Sequence, residues 1–296
     1  MEFAISLWAP DTSNEAIRSL LDQGVTAAEP GPPFLLQEDE QAFLAAVQRF
    51  HAAGIRFHAC HAPFGEDDDL SHLEEEPRLI AVATHRWGLE RAALAGAACM
   101  VIHPGRGIPP EEEPQRIDRL CASLETLLRT AEDTGVRLAL ENMLPGHVAC
   151  DSSTVRRIVD RFDSPYLGVC LDTGHAHVTD EGVDAAYAIL RDRIITFHLA
   201  DNDGHRDQHS QPPYGTIDWA SFAHAFGSMG FAAPVTVEAP PWNRASSSTL
   251  LREMRSLFEG ELLTTTLGGR QVWAMCSRCG HYLFGSAQAP VCACDA

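Results

Sequence analysis

The chain has 296 residues and 45% hydrophobic content, enough for one large domain or two small ones around a sizeable buried core. Its formal charge is −19, from 22 basic residues against 41 acidic ones, which argues against a polyanion such as nucleic acid as partner. All 22 basic residues are arginines, so chemistry that needs a lysine amine (Schiff-base aldol cleavage, pyridoxal-phosphate catalysis, a P-loop) is ruled out.

From the N-terminus, MEFAISLWAP lacks the basic start of a signal peptide, and no apolar run approaches the roughly 20 residues of a membrane span. A cytoplasmic protein with no membrane partner is the expectation. Strand-like runs then follow in the order EFAISLW, VTAAE, IRFHACHA, ACMVIH, VRLALE, LGVCLD, IITFHLA and PVTVEA. Segments with helical periodicity lie between and after them, at 39–53, 77–95, 115–134, 153–162, 184–191, 219–228 and 247–258. Near-continuous apolar strands alternating with amphipathic segments predict a parallel sheet covered on its outer face. The best solution is an α/β fold of the (β/α)8 TIM-barrel type over residues 1–262, which places functional residues at the C-terminal ends of the strands. A doubly wound open sheet is the rival, but no GxGxxG follows the first strand.

Those strand ends carry a series of chemically matched side chains. The third strand closes with His61, the fourth with His103, the fifth with Glu141, and the sixth with Asp172 and His175 in DTGHAH. The seventh gives His198, followed by Asp207 and His209 as D-Q-H, and the eighth gives Glu238. A single strand-end histidine is usually a hydrogen-bonded structural group, but six consecutive strands presenting such groups to one rim is a different matter. Carboxylates brought together in this way raise one another's pKa unless cations sit among them, so a metal centre is expected.

The motifs HPG, EN, D-T-x-H, H-L-x-D and D-x-H, in that order, resemble the xylose isomerase-like TIM-barrel superfamily, which includes sugar-phosphate isomerases and epimerases and the endonuclease IV family. The resemblance covers about residues 1 to 260. It implies a mononuclear site of Glu141, Asp172, His198 and Glu238, as in the sugar enzymes. The endonuclease pattern would add His61 and His103 on one ion, with Glu141 bridging, and His175, Asp207 and His209 on another. One to three divalent ions are therefore implied, with zinc, manganese or iron all compatible with the mixed nitrogen and oxygen donors.

By the same resemblance, the expected function is that of a divalent-metal-dependent isomerase or epimerase of a small sugar, sugar phosphate or polyol-like carbonyl compound. Glu141 and Glu238 would transfer a proton through a metal-stabilised enediolate. The lysine used for hydride shift in true xylose isomerases is absent, which favours proton transfer. His147 stands where several ketose epimerases of the family carry a second glutamate, a departure from the sugar-enzyme pattern. The alternatives are an endonuclease IV-like multinuclear phosphodiester hydrolase, or a related lyase or dehydratase. Trp8, Phe64 and Trp242 are candidates for an apolar wall against a sugar face, Arg106, Arg206 and Arg244 for a small phosphate, and Glu29 and Asn142 for further substrate contacts.

Of the nine cysteines, Cys60, Cys99, Cys121, Cys150 and Cys170 are scattered through apolar segments and read as small hydrophobes in a reducing compartment. The other four lie in a tail, residues 270–296, that adds no barrel unit: Cys276 and Cys279 as C-x-x-C, then Cys292 and Cys294 as C-x-C. A small zinc-ribbon-like appendage holding a structural zinc is expected, because so short a segment cannot build a stable core without a staple; a disulfide or a disordered tail with reactive thiols are the alternatives. A ribbon of this size can mediate protein contacts or homo-oligomer formation, and the sequence does not choose between them.

Overall fold

A computed structural model describes residues 1–179, 182–240 and 244–258, and beyond them only the backbone of four strands at 265–267, 270–275, 282–286 and 289–292. Its centre is a parallel sheet of β1 (Phe3–Leu7), β2 (Ala27–Pro30), β3 (Arg56–Phe57), β4 (Ala59–His61), β5 (Cys99–Ile102), β6 (Arg137–Glu141), β7 (Leu167–Asp172), β8 (Ile194–Leu199) and β9 (Val235–Val237). The spatial order is β3-β2-β1-β9-β8-β7-β6-β5-β4. Its two outer members, β3 and β4, are halves of one chain segment interrupted at His58. The first half pairs with β2 through Ala27 and Arg56, and the second with β5 through His61 and Val101, so the ring closes almost completely through a single bent strand. The sequence expectation of eight strands in a (β/α)8 barrel matches this arrangement.

Strand alternation decides what lies inside. Cys60, Met100, Ile102, Leu138, Leu140, Val169, Leu171 and Phe197 point outward into the large core shared with the helices. The opposite set, Ala59, Cys99, Val101, Ala139 and Cys170, fills the interior with small side chains. His61, Glu141 and Asp172 continue that inward-facing set by two residues each, and His198 stands two residues after the buried Thr196 and next to the outward Phe197, so the period of the strand aims all four at the barrel axis. The five cysteines within the barrel are free thiols, four of them buried.

The surrounding helices are α1 (Asn14–Asp22), α2 (Pro32–Leu35), α3 (Glu40–Ala53), α4 (Glu75–Leu94), α5 (Glu113–Thr134), α6 (Ser152–Phe162), α7 (Thr173–Val178), α8 (Gly182–Leu190), α9 (Trp219–Gly227) and α10 (Ser247–Phe258). Local signals set their ends. Asp39, Asp151 and Asp218 accept hydrogen bonds from the first-turn amides of α3, α6 and α9, and Gly54 and Gly135 end α3 and α5 at φ of 91° and 74°. No helix among the described residues is long and apolar enough to cross a membrane.

The tail backbone forms a four-stranded antiparallel sheet of β10 (Thr265–Leu267), β11 (Arg270–Met275), β12 (Tyr282–Ser286) and β13 (Ala289–Cys292), in sequence order. The expected zinc ribbon falls outside the described residues: Cys276, Cys279 and Cys294 are not among them, nor is the side chain of Cys292.

The connection after β8 is long and held by one buried carboxylate. Asp201 accepts hydrogen bonds from the amides of Gly215 at 2.8 Å and Ile217 at 3.2 Å and from the indole of Trp219 at 2.7 Å. Replacing Asp201 by Ala strands those buried donors and is expected to cost about 3 kcal/mol, read as a lower urea midpoint with an unchanged slope. A variant as stable as wild type would show that the loop is held by something else.

Candidate metal centre

Glu141 ends β6 and is 1% exposed; its two oxygens face opposite ways. Oε1 lies 3.0 Å from His198 Nδ1, while Oε2 lies 3.0 Å from His103 Nε2 and 3.8 Å from His61 Nε2. Glu238, just past β9, brings Oε2 to 3.0 Å from the same His198 Nδ1, and Asp172 Oδ2 approaches it to 4.0 Å. Glu141, Asp172, His198 and Glu238 thus present donor atoms within 4.8 Å of one another, and so do His61, Glu141 and His198. A third group, His175, Asp207 and His209, meets the same criterion, with Asp207 Oδ2 at 2.6 Å from His209 Nε2 and 3.5 Å from His175 Nε2. All nine ligand-type residues expected at the rim therefore lie in one contiguous cluster.

Several of these side chains are fixed by the backbone around them. Asp172 Oδ1 accepts from the His175 amide at 2.6 Å, capping α7, and this leaves Oδ2 turned to the cluster. Asn142 grips the Asp172 peptide from both sides, its Nδ2 donating to the carbonyl at 3.0 Å and its Oδ1 accepting from the amide at 2.8 Å. His175 Nδ1–H donates to the Asn142 carbonyl at 2.9 Å, which leaves Nε2 for Asp207. His209 sits at φ of 45°, a left-handed conformation that costs a non-glycine residue about 1 kcal/mol or more.

The charges do not balance without help. Burial pushes Asp172 up to about 7, with the neighbouring Glu141, Glu238 and Asp207 carboxylates adding to the rise against the pull of His175. Burial also works against ionised Glu141 and Glu238, yet adjacent imidazoliums outweigh it, His198 foremost; Glu141 is held well below the usual carboxylate range and Glu238 at about 2. In turn His209, whose burial opposes its charge, is lifted to about 10 by Asp207 and Glu238, and His175 is lifted well above its usual value by Asp172 and Asp207. Ring protons thus act as counter-ions to crowded carboxylates, a task a divalent cation performs better and in the same place.

The donor set fits such a cation. Asp172 Oδ2 and Asp207 Oδ1 are buried with no hydrogen-bond partner, a costly state that a cation removes. Mixed carboxylate and imidazole donors suit zinc, manganese or iron.

The cluster floors a cavity of about 570 Å³. Trp8, Phe64, Met143, Leu144 and Pro240 form much of its wall. The Trp8 and Phe64 rings lie 5.4 Å apart, and Phe64 stacks on His103 at 4.5 Å. Gly31 permits this: a Cβ there would fall 2.6 Å from the Trp8 carbonyl oxygen. Arg106 and His147 also line the cavity. Three of the residues expected near a substrate are placed elsewhere. Arg206 points to solvent beside Asp203, Asn142 is buried against Asp172, and Glu29 is buried beneath His198. Trp242 lies outside the described residues.

Because the protons that His175 and His209 gain from the carboxylates around them must be lost to bind a cation, zinc(II) binding is expected to release protons, with affinity rising with pH up to about 10. Calorimetry in buffers of different ionisation enthalpy measures the release; zero net release would contradict the counter-ion account.

A sequence profile described as xylose isomerase-like TIM barrel matches residues 17–256. The chain is 25% identical to the uncharacterized protein y4fM of Sinorhizobium fredii, over 81% of this chain and 88% of that protein. It is 26% identical to a probable endonuclease 4 of Mycoplasmoides gallisepticum over 52% of this chain and 55% of the relative. Fructoselysine 3-epimerase of Escherichia coli O157:H7 is 29% identical over 40% and 44% of the two chains. Among solved structures, a D-tagatose 3-epimerase-like protein superposes with a TM-score of 0.74 at 23% identity, covering 88% of this chain and 98% of the other. A Thermus thermophilus protein, TTHB071, soaked with ZnCl2, superposes with a TM-score of 0.70 at 26% identity, over 88% and 99%. With the profile spanning most of the barrel, the chain belongs to the xylose isomerase-like TIM-barrel family.

Proposed function

We propose that the protein is a divalent-cation-dependent isomerase or epimerase of a small sugar, sugar phosphate or related polyol carbonyl compound, moving a proton at the carbon beside a carbonyl. The observation that carries this reading is the placement of Glu141 and Glu238: both converge on His198 Nδ1 at 3.0 Å and both line a cavity sized for one small molecule. When bound, a divalent cation supplies Lewis acidity that polarises a carbonyl and lowers the cost of removing the adjacent proton.

The chain's own groups supply the rest. Glu238 is ionised and partly open to the cavity, so it serves as the base that takes the proton from carbon. Glu141, braced by His103 and His61, is the partner on the other side: it takes up a proton from solvent, delivers it to carbon in the second half of the exchange, and Glu238 releases its own to solvent to close the cycle. Trp8 and Phe64 offer an apolar surface to a sugar face and keep bulk water off it. With no lysine in the chain, no ammonium is at hand to assist a hydride shift. The partial identity with fructoselysine 3-epimerase supports the same reading.

A second reading, hydrolysis of a phosphodiester, is favoured by one specific observation. His61 and His103 on one side and His175, Asp207 and His209 on the other exceed what a single ion needs. Against a duplex substrate stand the charge of −19 and a cavity whose lining includes one arginine, Arg106. Any phosphate bound there belongs to a small molecule.

Incubation of the zinc- or manganese-loaded protein with a panel of ketoses in deuterium oxide is expected to show exchange at the carbon beside the carbonyl. Glu238→Gln is expected to slow that exchange by about 10² to 10⁴ fold while circular dichroism stays that of wild type. Absence of exchange across the panel, with a small phosphodiester cleaved instead, would put the second reading in first place.

A further inference from the structure

Beneath the cluster a chain of polar groups runs down the barrel interior, where small apolar side chains would otherwise be expected. His198 is fully buried, and its Nε2 lies 2.8 Å from Glu29 Oε1. Glu29, at the end of β2 and 2% exposed, has its other oxygen 2.8 Å from Thr236 Oγ1 on β9. Thr236 Oγ1 in turn lies 3.2 Å from Nε2 of His58, the residue at the bend between β3 and β4.

The directions of these hydrogen bonds follow from the donor inventory. An ionised carboxylate only accepts, so Thr236 O–H must donate to Glu29 Oε2, and His198 must carry its proton on Nε2 and donate to Oε1. The Thr236 oxygen then accepts from His58 Nε2–H. Both oxygens of Glu29 are satisfied, which accounts for a carboxylate tolerated so deep in the barrel. With Nε2 committed, the lone pair of a neutral His198 ring resides on Nδ1, the atom that faces Glu141, Glu238 and Asp172 at 3.0, 3.0 and 4.0 Å.

We infer that Glu29 is a positioning residue: from outside the cavity, backed by Thr236 and His58, it locks His198 in the Nε2–H tautomer and so aims Nδ1 at a cation shared with Glu141, Asp172 and Glu238. A carboxylate behind a ligating imidazole orients the ring and raises its basicity. The inference rests on the reading that this cluster binds a cation, and not on which substrate is turned over.

The test uses the full chain labelled with ¹⁵N-histidine and titrated with zinc(II) through a chelator buffer. The His198 ring signals are assigned by their loss in His198→Gln. Wild type is expected to show His198 protonated at Nε2 throughout, with Nδ1 losing its proton and shifting as zinc binds, which leaves the Nε2–H tautomer. Glu29→Leu, which removes the acceptor at similar volume, is expected to lose the single tautomer and bind zinc at His198 about 10- to 100-fold more weakly. Glu29→Gln, whose amide oxygen can still accept, is expected to fall between the two and serves if the Leu variant does not fold. Wild-type zinc affinity and an unchanged Nε2–H tautomer in the folded variants overturn this inference and leave the cation reading standing. No zinc-dependent shift in wild type overturns both.

Discussion

Electrostatic crowding at one mouth of the barrel is the constraint on which the rest of this structure depends. Parallel strands delivered in register bring Glu141, Asp172 and Glu238 into the same few ångströms, and the connection after β8 adds Asp207. In a buried setting such charges cannot coexist unneutralised, because Coulomb repulsion grows as water is removed. The imidazoles of His61, His103, His175, His198 and His209 interleave with them around the rim. Their collection is intelligible as a site organised for cations and for chemistry.

The way the groups are held supports that view. Backbone atoms and second side chains fix the orientation of the central donors: a helix cap and the Asn142 clamp for Asp172, and the Glu29 contact for His198. Asp172 does two jobs with two oxygens, one ending in a helix amide and the other left for the cluster. Such preorganisation is costly to assemble in a chain with no other use for it, since every buried polar atom must find a partner or pay desolvation. Asp207 and His209 belong to a different support, a loop held at its base by Asp201 and carrying a left-handed residue. The loop bears two of the donors that exceed the central four.

Much of the barrel and the identity of the rim donors could be read from sequence, for a physical reason. Each strand is a short apolar run, and in this fold class the residue after such a run points to the functional face, so HPG, EN and DTGHAH name their own positions. Side-chain direction was not legible in the same way. Glu29 also follows an apolar run and reads as a rim residue, yet it turns inward to His198, because its partner is 169 residues away and leaves no local pattern. Asn142 and Arg206 illustrate the same gap: one is consumed by a backbone clamp on the next strand, the other sits on an exposed turn. The six residues of α7 span too few turns to show helical periodicity, and the single bent strand that closes the ring has no signature other than His58 in its middle.

The two chemistries compatible with this rim differ less than their products suggest. Both need an electrophile polarised by cations at the common centre of Glu141, Asp172, His198 and Glu238, which strand ends hold in place. They part over what reaches the substrate next. Proton transfer at carbon needs a carboxylate open to the cavity, and Glu238 is the central donor that is both ionised and partly exposed. Hydrolysis at phosphorus needs donors that gather more positive charge, and those lie on either side, in His61 with His103 and in the loop with Asp207 and His209. The cavity wall then weighs against large anions: two exposed aromatic rings and a single arginine suit the face of a small polyol better than a polymer backbone. On the proposed reading, substrate class is set at the wall and reaction class by how many of the flanking donors hold cations, while the central four are common to both.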